Sequence, residues 1–357
     1  MDKFIRKLNF DFTTNQRILQ LIGYIDGFQG KWDVVEKQEN RYLKELQNIA
    51  TIESIGSSTR IEGATLTDQE VKELLKDIKI TKLKTRDEQE VIGYYEVFEL
   101  IHDNYDDIKL SESYIQQLHQ MLLKYSNKDE RHRGTYKFLS NTVVATYPAG
   151  EQRTIFVTTE PALVAAEMQE LIEWTNEQLE QKSIHHLIII GSFIYDFLSI
   201  HPFQDGNGRL SRLLTTLCLL QSDYSFIQYI SFENHIEQNK QAYYEALING
   251  QKNRGTDSER IDLWLIFFLE SLKTLTKKLE QKYDVFKSKG GYLNSRQKQI
   301  RDYISNNQPI KVSDLAKQFP DIGLSTLKKD LQYLRNEQVL TMIGKGKGSV
   351  YVLTGEE

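Results

Sequence analysis

The chain has 357 residues, 27% charged and 39% hydrophobic, with a formal net charge of -5. That length allows two or three domains, and the composition is that of a globular protein rather than a disordered or fibrous one. The overall acidity excludes a polycation that binds nucleic acid along its whole surface, and a single cysteine, Cys218, excludes a disulfide framework and a cysteine-based metal site. The N-terminal stretch lacks the apolar core of a signal peptide, and the run at 187–190 is far too short to span a bilayer. A cytoplasmic location is therefore expected, with no membrane partner.

In chain order, helical spacing recurs at 17–28, 68–75, 88–102, 113–124, 160–181, 185–200, 210–221 and 260–283. The first fifty residues read as helical and are expected to pack against the larger helical region downstream. Ser111 and Thr67-Asp68 have the chemistry of helix caps. Residues 140–157 break the pattern. β-Branched residues flank Tyr147-Pro148-Ala149-Gly150, which predicts a β-hairpin with its tip there. A lone hairpin in a helical domain suits strand addition to an extended peptide, with Val143, Val144, Ala145 and Thr146 as the docking edge. A surface hairpin without that role is the plain alternative.

Beyond residue 285 the character changes. A polar, glycine-containing linker precedes three short helical patterns, around Ile300, Leu315 and Leu327. Alternating segments at 339–343 and 349–353 then flank a Gly-Lys-Gly-Lys-Gly tip. Residues 291–357 hold ten Lys/Arg against seven Asp/Glu, opposite in sign to the rest. Three helices and a basic-tipped ribbon resemble a winged helix-turn-helix, so DNA is one candidate partner, through Lys328, Lys329, Arg335, Lys345 and Lys347, with Asp330 and Glu337 diluting the third helix. A protein-contact role is the other.

The densest chemistry lies at 201–212, HPFQDGNGRLSR, which opens the helical pattern from Leu210. Gly206 and Gly208 let a backbone approach a ligand closely and expose N–H groups at a helix start, an anion-binding arrangement. Arg209 and Arg212 lie on one helical face and can fork onto phosphate oxygens. Asp205 is a hard oxygen ligand suited to Mg²⁺. His201 can take a proton from a hydroxyl near neutral pH. Each part alone is commonly structural; together they suit chemistry on a phosphate ester.

The segment resembles the Fic family signature H-x-F-x-(D/E)-G-N-G-R-x-x-R at every fixed position. Arg133-Gly134-Thr135-Tyr136-Lys137 with Asn141 is similar to that family's approach to its hairpin, although Lys137 stands where arginine is usual. Residues 155–168 resemble the exit from the hairpin, and Tyr243-Tyr244 with Leu247 the family's Tyr-Tyr-x-x-Leu helix. The resemblance implies a mainly α fold with a β-hairpin flap, and transfer of AMP from Mg²⁺-ATP to a hydroxyl of a target protein or of the enzyme itself. It implies His201 as general base and Asp205 as metal ligand. Gly206, Asn207 and Gly208 would cradle the α- and β-phosphates, Arg209 would neutralise them, and Arg212 would hold the γ-phosphate. Tyr243 and Tyr244 would lie near the adenosine, and Phe203 is read as a core anchor.

Upstream, Ser58, Glu62 and Gly63 are similar to the (S/T)-x-x-x-E-(G/N) pattern of the family's inhibitory helix, here expected near 51–66, with Glu62 pairing to Arg212. The organisation expected is an N-terminal helical region to residue 110, a catalytic domain over 111–285 and a winged helix over 291–357. Other phosphate-containing donors, removal of AMP, and a nucleotide-sensing DNA-binding regulator are the competing readings. A homodimer is compatible with the resemblance.

Overall fold

The computed structural model describes residues 3–38, 40–76, 83–146, 152–288, 293, 295–336, 339–344 and 346–354. Over these the chain is mainly helical. Helices α1 (Lys3–Arg6), α2 (Phe12–Gln38), α3 (Asn40–Ile61), α4 (Asp68–Lys76), α5 (Arg86–Asn104) and α6 (Glu112–Leu122) precede a hairpin of β1 (Thr142–Thr146) and β2 (Gln152–Val157). Then come α7 (Pro161–Gln181), α8 (His186–Ile200), α9 (Asn207–Gln221), α10 (Phe232–Gln238), α11 (Lys240–Gln251) and α12 (Asp262–Ser288). The last elements are α13 (Ser295–Asn307), β3 (Ile310–Lys311), α14 (Val312–Gln318), α15 (Leu324–Asn336), β4 (Leu340–Ile343) and β5 (Val350–Leu353). No described helix is long and apolar enough to cross a membrane.

Two compact units emerge, residues 1–38 with 46–278, and residues 39–45 with 279–357. The first is organised around α8, whose residues from Ile189 to Ile200 are all buried. Helix α12 lies close over α8 at Gly191: an added Cβ there would stand 2.6 Å from a Leu265 methyl carbon, and Trp264 Nε1 donates to the Gly191 carbonyl at 2.7 Å. Helix α9 is buried almost throughout and packs against α8 and α5. Cys218 belongs to this core, where burial pushes its thiol up to about 12, so it is inert.

The capping at Ser111 is present: its side chain accepts from the Tyr114 N–H at the start of α6. Thr85 completes a capping box with Glu88 on α5. The apolar spacing did not announce α3, because four of the residues it buries are polar and cluster at its C-terminal end. Ser54, Ser57, Ser58 and Thr59 are buried beside Leu43, Leu46, Ala50 and Ile55, so its inward face carries no continuous apolar stripe.

The hairpin is antiparallel, with Thr142 opposite Val157 and a register shift between Val143 and Val144. Its expected tip, Tyr147 to Gly150, lies outside the described residues.

In the second unit, α13, α14 and α15 pack on an antiparallel sheet of order β3-β5-β4. Leu293, Ile300, Ile304, Leu315, Leu327, Leu331 and Leu334 form its core with Ile310, Leu340 and Tyr351. Strand β3 is a third strand beyond the ribbon read from the sequence; two residues are too few to show a period. Asp330 is buried and takes a bidentate contact from Arg296 at 2.6 and 3.0 Å. It therefore does not dilute the outward charge of α15, whose exposed positions include Lys328 and Lys329. Lys345 and Glu337 lie outside the described residues.

Candidate active site

Helix α8 ends at Ile200, and His201 takes a left-handed conformation, φ 53 and ψ 60, as its C-cap. The next loop reverses the chain and delivers it to α9 through Gly206, φ 81. Phe203, fully buried, is the loop's anchor: its ring stacks on His119 at 3.8 Å between centroids. Asn207 closes the loop. Its Oδ1 accepts from the Phe203 N–H at 2.9 Å and its Nδ2 donates to the Phe203 carbonyl at 2.7 Å. The side chain of Asn207 is thus committed to the loop, and what it presents to a ligand is its backbone N–H. The first-turn N–H groups of α9 have no intrahelical acceptors, so this end of the helix suits an anion.

His201, Asp205, Gly206, Asn207, Gly208 and Arg212 line one cleft of about 240 Å³, together with Glu62, Thr142, Gln204, Tyr243, Tyr244, Leu198 and Leu247. The residues expected from 201–212 therefore converge there, with one difference. Arg209 is 1% exposed, and it contacts Asp205 Oδ1 at 3.2 Å and Glu90 Oε2 at 3.4 Å. It supports the loop from beneath instead of lining the cleft. Tyr243 is buried edge-to-face against Tyr244 and Trp264, so it is a wall of the cleft as much as part of the core.

The His201 Nδ1 lies 3.3 Å from the Leu198 carbonyl. A carbonyl only accepts, so Nδ1 carries the proton and Nε2 keeps its lone pair. Burial, and then Lys137, pull the imidazole down to about 4. The ring is therefore neutral at pH 7 and able to accept a proton. Asp205 Oδ1 accepts from the Gly206 N–H at 2.6 Å. Burial raises its carboxyl, but Arg209 and that N–H outweigh burial and hold it below the usual range. Among the described residues no group of three or more His, Cys, Asp or Glu is placed to hold a metal. One ionised carboxylate is nevertheless what Mg²⁺ uses when substrate phosphates and water complete its shell.

Glu62 enters from the end of α3. Its Oε1 accepts from Arg212 Nη2 at 2.9 Å, while Arg212 also donates from Nε to Ser58 Oγ at 2.8 Å and from Nη2 to the Ser58 carbonyl at 2.9 Å. A Cβ at Gly208 would stand 2.3 Å from Glu62 Oε1, so only glycine admits the carboxylate this close to the first turn of α9. Burial raises the Glu62 carboxyl, but Arg212 and Arg209 outweigh it and keep it ionised. Gly63, φ 106, turns the chain away immediately afterwards. Arg60 grips Glu237 with two bonds of 2.8 and 3.1 Å, and Lys240 Nζ donates to the Ile61 carbonyl at 2.8 Å, which fixes this end of α3 on α10 and α11.

His119 lies outside every motif in the sequence. It is fully buried, its Nδ1 accepts from the Gly134 N–H at 2.8 Å, and Nε2 contacts the Asp205 carbonyl at 2.9 Å. An acceptor at Nδ1 places the proton on Nε2, which donates to Asp205. The available signal was a histidine on the apolar face of α6, between Ile115, Leu118 and Leu122. Burial pulls its imidazole down to about 4. Unfolding releases a group that takes up a proton near 6.5, so the unfolded chain binds more protons between about 6.5 and 4. Stability should therefore fall as pH drops through that window, by up to about 3 kcal/mol from this residue. Urea titrations of the wild type and His119→Gln at neutral and acid pH check it. The acid loss should be smaller in the variant.

Residues 109–219 match the Fic/DOC family. The chain carries a Fic domain. Curated relatives of this chain include the protein adenylyltransferase Fic of Drosophila grimshawi, 26% identical over 189 residues, and that of Drosophila willistoni, 28% identical over 189 residues. The aligned region covers 52% of this chain but only 36% and 35% of those two proteins, about a third of their length. A Fic family protein from Desulfovibrio desulfuricans has the same fold, with a TM-score of 0.65 at 22% identity, over 96% of this chain and 97% of that one. A Fic domain containing signaling protein from Bacteroides thetaiotaomicron aligns with a TM-score of 0.57 at 23% identity, over 72% of this chain and 97% of that one.

Proposed function

We propose that this Fic chain is a protein adenylyltransferase whose own α3 restrains it. The observation that carries the reading is a neutral imidazole, His201, lining the same cleft as the first turn of α9 and Arg212. The N–H groups of Asn207 and Gly208 and the Arg212 guanidinium bind the triphosphate, and Arg209 braces the loop through Asp205. Asp205 would hold Mg²⁺, which supplies charge neutralisation for the phosphates. Tyr243 and Tyr244 border the nucleoside. A hydroxyl of the target gives its proton to His201 Nε2 as its oxygen bonds the α-phosphorus. The bond from that phosphorus to the bridging oxygen breaks, and pyrophosphate leaves. Position and charge, with little covalent work by the protein, suit this class of transfer. The edge of β1 formed by Val143 to Thr146 is the docking strand for the target.

In this reading Glu62 occupies Arg212 and puts a carboxylate where a phosphate would lie. Mass spectrometry of the protein after incubation with ATP and Mg²⁺ tests the reading. Adenylylated hydroxyl residues on the chain or an added target support it; their absence in Glu62→Gly as well as in the wild type removes it.

A second reading concerns residues 279–357. The inward turn of Asp330 leaves Lys328 and Lys329 on the exposed side of α15 without an acidic residue beside them on that helix. Contact with nucleic acid phosphates by this unit would show as affinity for duplex DNA that falls steeply with salt and weakens in Lys328→Glu/Lys329→Glu. Salt-independent or absent binding removes it.

A further inference from the structure

His201 holds a left-handed backbone, φ 53 and ψ 60. A residue with a side chain keeps that conformation only where its surroundings impose it. The surroundings here are a short segment before the hairpin. The Ile200 carbonyl accepts from Lys137 Nζ at 3.1 Å, the Pro202 carbonyl from the Lys137 backbone N–H at 2.8 Å, and the Phe203 carbonyl from Asn141 Nδ2 at 3.0 Å. Carbonyls on both sides of His201 are thus held from one place.

Lys137 is 3% exposed, and its ammonium has three protons and three acceptors. Besides Ile200, they are Asn141 Oδ1 at 2.8 Å and Thr158 Oγ1 at 2.6 Å. Asn141 immediately precedes β1, and Thr158 immediately follows β2. The Thr158 hydroxyl also bonds to the Asn141 carbonyl at 2.8 Å, which ties the two roots of the hairpin together.

We propose that Lys137 is a positioning residue that fixes His201 and both roots of the hairpin in one register, so that base and docking edge keep a constant offset. The proposal rests on the reading of His201 as the base. A buried ammonium with all three protons placed on different elements is not there for packing, since methionine would fill the same space. The charge adds a second effect. Lys137, Glu62 and Asp205 are the charged groups that act on the His201 ring; burial and then Lys137 lower it, while Glu62 and Asp205 oppose them. Lys137 is itself drawn down to about 8, first by burial and then by Arg254, against Glu160 and Glu167. It remains mostly protonated at neutral pH. Without it, His201 would titrate at higher pH.

The test uses the full chain in the Glu62→Gly background, in which the proposed restraint is removed. Lys137→Met should lower kcat about 100-fold, the cost of a small displacement of a catalytic group. ATP affinity should hold, because the phosphate site is built on α9. The ascending limb of the pH profile of kcat/KM should move to higher pH in Lys137→Met and stay in place in Lys137→Arg, which should recover most of the rate. Thr158→Val keeps the ammonium and cuts one root contact, so it should raise the KM for a target peptide with the limb unmoved. Parent-like kinetics in Lys137→Met, while His201→Ala is inactive, overturn the inference alone. So does a joint loss of rate, ATP binding and melting temperature in Lys137→Met, if Thr158→Val matches the parent. Turnover that survives in His201→Ala overturns the base assignment, and this inference with it.

Discussion

His201→Ala should lower adenylyl transfer about 10²- to 10⁴-fold, the usual worth of a positioned general base, with ATP affinity nearly unchanged. The ring lines the cleft with Nε2 free of the proton that Nδ1 gives to Leu198. The proposed phosphate site uses other groups, the first-turn N–H groups of α9 and the Arg212 guanidinium, which line the same cleft. Removing the imidazole therefore removes the proton acceptor and leaves the anion site. Single-turnover rates alongside nucleotide titration separate the two. The pH dependence has a definite sign. A base that titrates near 4 is available throughout the neutral range. The kcat/KM of an unrestrained variant, which reports groups of the free enzyme, should fall on the acid side only as pH nears that value. Equal turnover in wild type and alanine variant would remove His201 from the mechanism.

Glu62→Gly should raise the rate of modification about tenfold. The carboxylate accepts from Arg212 at 2.9 Å and reaches the backbone at Gly208. Hydrogen bonds to charged groups contribute about 1.5–3 kcal/mol, and the lower end applies because about a third of the Glu62 side chain stays exposed, where solvent screens it. At about 1.4 kcal/mol per tenfold, that lower end gives the predicted factor. Glu62→Gln separates charge from volume. It keeps the shape and removes the anion, so it should lie between the wild type and glycine. Quantified adenylylation at saturating ATP reads the series, and a glycine variant no faster than wild type would show that Glu62 restrains nothing.

The end of α3 was only partly legible in the sequence. Ser58 and Glu62 stand four residues apart, and the distance from either to Arg212 in sequence is about 150 residues. The pairing was readable only through resemblance to a signature. The anchors Glu237 and Lys240, which fix this end of α3, carry no signature at all. They are ordinary surface-type residues until the fold places them beside Arg60 and the Ile61 carbonyl. Arg209 shows the opposite case. Its spacing from Arg212 on a helix matched a phosphate-binding pair, but in the fold it faces Glu90 and Asp205. Three residues along a helix turn a side chain by about 60° from its neighbour's direction. That is enough for one arginine to line a cleft and the other to lie under it.

From the sequence alone came the elements with strong local causes. These are the apolar helices such as α8, the hairpin with its β-branched flanks, the caps, and the 201–212 segment with its histidine, carboxylate, glycines and arginines. Each depends on neighbours within a few turns of chain, where periodicity and turn chemistry act. Tertiary structure alone decided the rest. It buried α3 through serines and a threonine, turned Asp330 inward, made Asn207 a clamp on Phe203, and brought His119 and Lys137 to the loop around His201. Those roles depend on which polar atoms lie opposite one another once water is excluded, because a buried donor or acceptor must find its partner wherever the fold supplies one.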